Sequence, residues 1–162
     1  MTISQVFYTS RASAESLAAT PHMAVISITD PRTPPAKLDP RFNEVLRLSF
    51  FDAEPADEYL PSPIAGMFDH VMARQIGNFV QKLHATPGHI SVMVHCEYGV
   101  SRSAAVALFV AAYADAPLAA REFAYAANPW VVDRLARLFP DLILEIPPED
   151  SASERRVLPR AA

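Results

Sequence analysis

The chain reads as an α/β protein: a three-layer sandwich with a mostly parallel central sheet flanked by helices. Three observations point there. Short runs rich in Val, Ile and Leu alternate with longer stretches of helical spacing, an order that favours parallel strands joined by crossover helices. The helix expected to open at Arg102 is apolar nearly all round, which places it in the middle of a domain. At 162 residues and 51% hydrophobic, the chain can bury one sizeable core, so a single domain is expected over residues 1–146, with a loose, proline-rich and charged tail over 147–162.

Residues 6–9 form a short β-like run, and 13–19 read as a short helix stopped by Thr20-Pro21. Residues 23–28 are a buried strand. Prolines 31, 34, 35 and 40 then enforce a loop, because proline lacks an N–H and restricts the residue before it. A third strand covers 44–50 and leads into an acidic loop at 51–59. Ser62-Pro63 resembles a helix N-cap with proline in the first turn. The helix that follows, to about His84, puts Phe68, Met72, Ile76, Phe79 and Leu83 on one face. Thr86-Pro87-Gly88 ends it, and 90–94 is the next strand. After the apolar helix at about 102–114, helices over about 117–127 and 129–139 complete the fold. The loops carrying Asp30, Asp52 and Cys96 all fall at the C-terminal ends of strands, where open parallel sheets bind ligands.

The chemistry concentrates in His95-Cys96-Glu97-Tyr98-Gly99-Val100-Ser101-Arg102-Ser103, a tight loop between a strand and a helix. Such a loop points successive backbone N–H groups of residues 97–102 into one concavity, and the positive end of the helix favours an anion there. Gly99 permits the turn. The planar guanidinium of Arg102 can bind two phosphate oxygens at once. The same positive setting favours the thiolate of Cys96, the reactive form. His95 can hydrogen bond near the loop, and Ser103 can donate its hydroxyl to the sulfur.

These nine residues resemble the signature His-Cys-x-x-Gly-x-Ser-Arg-Ser of the cysteine-dependent protein tyrosine and dual-specificity phosphatases, particularly small bacterial members. The resemblance extends more loosely over residues 23–139, and Ala126-Ala127-Asn128-Pro129-Trp130 resembles the Asn-containing link between their closing helices. Two positions depart from the pattern. Ala104-Ala105 stands where relatives often carry Gly or Pro, which touches helix packing alone. Glu97 stands where several relatives acting on highly charged lipid heads carry cations, and argues against a polyanionic substrate.

The resemblance implies hydrolysis of phosphotyrosine, with phosphoserine and phosphothreonine as further substrates, through a phosphocysteine intermediate and without metal or other cofactor. Cys96 would be the nucleophile, Arg102 and the loop N–H groups the phosphate ligands, and an upstream aspartate the proton donor. Asp52 is the candidate, since it follows a strand and a helix separates it from Cys96. Asp57 and Asp30 are the alternatives, and Asp30 could instead orient Arg102 or line the pocket. Tyr98 could brace the loop or shape the pocket mouth. Arg32, Lys37 and Arg41 could meet the rest of a substrate, though solvated loop charges are the plainer reading. The same chemistry on a nucleotide, an RNA 5′-phosphate or an inositol phosphate is a second reading, and a phosphate-binding module without turnover a third.

Composition narrows the partners. The net charge is −4 and no Lys/Arg run exists, so neither nucleic acid nor an anionic membrane is an expected partner. No segment reads as a signal peptide, and the longest apolar run, 104–114, is too short to span a bilayer. One cysteine cannot form an internal disulfide, which suits a reducing, cytoplasmic setting. His22, His70, His84 and His89 have no metal-ligand spacing.

Overall fold

The computed structural model describes residues 2–54 and 65–149. Its sheet has four strands: β1 (Ile3–Ser10), β2 (Met23–Thr29), β3 (Glu44–Ser49) and β4 (Ile90–Cys96). Their order is β1-β4-β2-β3, and every pairing is parallel rather than mostly so. The helices are α1 (Arg11–Ser16), α2 (His70–Ala85), α3 (Arg102–Ala114) and α4 (Pro129–Leu138), with a 3₁₀ turn at Arg121–Ala126.

Side-chain alternation along the strands builds a core on each face. Ile26, Ile28, Val92 and Val94 point to the layer made by α2, α3 and α4, where Phe109, Ile76 and Leu135 complete the packing. Val25 and Met93 point to the opposite layer, where Ala14 of α1 and Phe42 of the proline-rich loop cover them. Nearly all of α3 is buried, as its uniform apolarity requires. No described helix is long and apolar enough to cross a membrane.

Several boundaries differ from the sequence reading. The helix α2 begins at His70, capped by the Asp69 carboxylate on the Met72 N–H at 2.9 Å, and Ser62-Pro63 lies outside the described residues. Phe68 is buried from the segment before that helix, while Met72 and Phe79 pack at its margin. No helix runs from 117 to 127. Instead Pro117 and Ala119 bond through their backbones to Val6, shielding the outer edge of β1, and only Arg121–Ala126 coils, as a 3₁₀ turn. An edge strand with unpaired backbone groups takes precedence over local helical spacing. Finally, α1 stops at Ser16 and β3 at Ser49. The Phe50 N–H still bonds to Thr29, but its carbonyl turns away to Arg102.

Candidate active site

Cys96 ends β4 and Arg102 starts α3, so the loop between them is held at both ends by the most buried elements of the fold. Its conformation is built by partners outside the loop. The Arg11 N–H bonds to the Glu97 carbonyl at 3.2 Å, and the Asn128 N–H bonds to the Ser101 carbonyl at 3.1 Å. Carbonyls tied outward in this way favour N–H groups turned inward. Gly99 adopts φ +71 and lies against β1, where a Cβ would come within 2.5 Å of the Ser10 nitrogen. Glycine is required on both counts.

The sulfur of Cys96 is buried, 3.1 Å from the Ser103 hydroxyl and 3.3 Å from the Gly99 N–H, which donates to it. Arg102 is 3% exposed. Its Nη1 donates to Asp30 Oδ1 and to the Phe50 carbonyl, both at 2.7 Å. Its Nε is buried with no hydrogen-bond partner among the described residues. A buried guanidinium donor left unpaired costs about 1–3 kcal/mol unless something binds it. Ser101 sits at the N-cap position of α3 without capping it, because its hydroxyl donates instead to Asp52 Oδ1 at 2.8 Å. The first N–H groups of α3 therefore keep no side-chain cap.

His95 faces the α1 layer and is wholly buried. Its Nδ1 lies 3.3 Å from the Cys96 carbonyl and its Nε2 lies 2.6 Å from the Ser27 hydroxyl. A carbonyl only accepts, so Nδ1 carries the hydrogen and Ser27 donates to Nε2. Burial pushes the imidazole below its usual pKa, a shift the hydrogen bond to the Cys96 carbonyl opposes. The ring is thus a neutral strut under the loop.

Of the three aspartates considered, two are brought to the site. Asp52 meets the loop through Ser101 and is held from the other side by Asn128 Nδ2 at 2.8 Å. Asn128 Nδ2 also reaches the Ala53 carbonyl, at 3.2 Å. Its Oδ1 caps α4 by accepting from Trp130 and Val131 N–H, which fixes the amide's orientation and aims its donor at Asp52. Asp30 is engaged with Arg102, which matches the orienting role rather than proton donation. Asp57 lies outside the described residues.

The remaining loop side chains face outward. Tyr98 is 82% exposed and Val100 is 50% exposed, so Tyr98 shapes the mouth rather than bracing the wall. Glu97 lies 3.9 Å from Arg11, whose guanidinium also approaches Glu15 at 3.6 Å and donates to the Pro34 and Pro35 carbonyls. Arg41 pairs with Asp39, and the Lys37 N–H bonds to Glu15. Among the described residues no three His, Cys, Asp or Glu side chains gather as a metal site.

Sequence reasoning missed Ser27, Arg11 and the amide of Asn128 as functional residues. Only Asn128 carried a local signal, the N-cap pattern Asn-Pro at the start of α4. No protein-family model matches this chain, and no curated protein matches it, so its function has to be argued from the residues of this site.

Proposed function

We propose that the protein is a cysteine-dependent phosphatase that hydrolyses phosphotyrosine, with phosphoserine and phosphothreonine as further substrates. The observation that carries this reading is the buried Arg102, whose Nε has no partner among the described residues and which opens a helix whose first turn has no side-chain cap, six residues from a sulfur already in contact with a hydroxyl. That combination asks for an anion with several oxygens, placed against a nucleophile.

In the proposed cycle the Cys96 thiolate attacks phosphorus and the bond to the leaving oxygen breaks. Arg102 and the inward N–H groups hold the equatorial oxygens, where charge accumulates. Asp52 gives its proton to the leaving oxygen. Both of its hydrogen bonds among the described residues fall on Oδ1, which leaves Oδ2 to carry that proton. Water then attacks the phosphocysteine and passes a proton to Asp52, and the S–P bond breaks. The Ser103 hydroxyl donates to the departing sulfur.

Phosphate release from p-nitrophenyl phosphate and a phosphotyrosine peptide, by reduced protein with a chelator present, tests the reading. Activity should vanish in Cys96→Ser, and rapid acid quench of the unmutated protein should trap one phosphoryl group on Cys96. Folded, reduced protein that releases no phosphate from either compound would sink the proposal. Activity confined to nucleotides or inositol phosphates would keep the mechanism and move the substrate.

A further inference from the structure

We infer that the rim of the phosphate loop selects phosphopeptides with apolar residues beside the phosphorylated one, through Tyr98, Val100 and Phe51. This rests on the phosphatase reading above and adds the character of the flanking sequence. The loop interior can engage only the phosphate, so any discrimination among peptides falls to side chains around the opening.

Three exposed large hydrophobic side chains belong to this loop or to the segment bonded to it. Tyr98 and Val100 alternate on the loop, 82% and 50% exposed. Phe51 is 46% exposed and immediately precedes Asp52, which accepts from Ser101, the residue after Val100. Phe51 is also fixed in place. Its N–H bonds to the Gly66 carbonyl at 2.8 Å, and its ring lies against Gly66, where a Cβ would sit 2.8 Å from the ring. A ring already held by the fold loses little freedom when a ligand covers it.

Charge points the same way. An acidic residue beside the phosphate would face Glu97 on the loop, and Glu54 stands two residues past Asp52. Arg11, beside the loop, is engaged by two carbonyls and two carboxylates. Arg102 is buried beneath the loop and paired with Asp30. Against these carboxylates the lip offers Arg32, exposed two residues past Asp30. Apolar flanks can instead cover the three hydrophobic side chains, and covering one of them is worth about tenfold in affinity.

The test compares kcat/KM for two phosphotyrosine peptides of equal length, one flanked by Leu and Val and one by Asp and Glu, with p-nitrophenyl phosphate alongside. The apolar peptide should be preferred about tenfold. Tyr98→Ser combined with Val100→Ser, and separately Phe51→Ala, should bring the ratio towards one whatever they do to absolute rates. A ratio of one or lower in the unmutated protein, with p-nitrophenyl phosphate turned over, overturns this inference and leaves the phosphatase reading standing. So does a ratio unchanged in all the variants. No phosphate released from any of the three compounds means that the phosphatase reading has failed, and the inference fails with it.

Discussion

Replacing Gly99 with alanine tests how tightly the loop is built against β1, and Gly88 supplies the control. Both glycines have positive φ, +71 at Gly99 and +98 at Gly88. An alanine in that region costs about 1–2 kcal/mol, partly offset by about 0.4–1 kcal/mol from the stiffer unfolded chain. At Gly88 nothing lies within 4 Å of the added Cβ, so Gly88→Ala should cost about 1 kcal/mol and no more. At Gly99 the same atom would sit 2.5 Å from the Ser10 nitrogen and the Thr9 carbonyl carbon. Both are backbone atoms of a strand paired with β4 through Thr9–His95 and Ser10–Cys96, so relief requires parting the two strands at the end that carries Cys96. Overpacking of this kind adds about 1–3 kcal/mol, bringing Gly99→Ala to about 2–4 kcal/mol. Equilibrium urea unfolding of the two variants measures the difference directly, provided the slopes agree. Gly99→Ala should also lower phosphate release by about 100-fold or more, because the N–H on the Cys96 sulfur moves with the backbone. Gly88→Ala should keep it. Two variants of equal stability would refute the close approach on which the rigidity of the loop depends.

Three other outcomes follow from the same geometry. Asn128→Asp keeps both cap acceptors of α4 but sets a carboxylate against Asp52, a repulsion of about 1–4 kcal/mol. It should slow phenyl phosphate more than p-nitrophenyl phosphate, whose leaving group needs less protonation, and equal losses on the two would remove Asp52 from the acid role. Asp30→Asn leaves the buried Arg102 without its counter-charge and should lower stability by about 1–2 kcal/mol, a modest figure because Asp30 is partly exposed; an unmoved urea midpoint would show the pair to be idle. For His95 the unfolded imidazole takes a proton below about 6.5, while burial keeps the folded one neutral to lower pH. The unfolded state then binds the extra proton, so stability should fall as pH drops through about 6.5, and His95→Gln should flatten that part of the pH dependence of the urea midpoint.

The strands and the loop between Cys96 and Arg102 were legible because their signals are local. Residues 23–28 and 90–94 are apolar but for one serine each, and α3 is set by a composition that only a buried helix tolerates. The misread segment at 117–127 shows the limit. Its spacing suits a helix, but the open edge of β1 lies beside it, and that demand comes from a strand more than a hundred residues earlier. The site divides in the same way. Cys96, Gly99, Arg102 and Ser103 stand together in sequence and announce one another. Ser27, Arg11 and Asn128 act on the same loop from three different elements, and none stands near it in sequence. Asp30 had three readings, as an alternative acid, as orienting Arg102 or as lining the pocket, and its ion pair with Arg102 is a contact 72 residues away in sequence.

The strand order has a consequence for how the protein comes to exist. The first strand cannot find its neighbour until the fourth is available, and the two meet across as many as 87 residues, from Ile3 to Ile90. During synthesis β1 must therefore wait, with Ile3 and Val6 uncovered, until β4 (Ile90–Cys96) has emerged. Contacts of such range slow folding, since a long loop must close before any reward is felt. The pairing of Ser10 with Cys96 belongs to that late step. The loop from Cys96 to Arg102 would then be assembled near the end of folding, so that partly folded chains lack the seat that buries the Cys96 thiol.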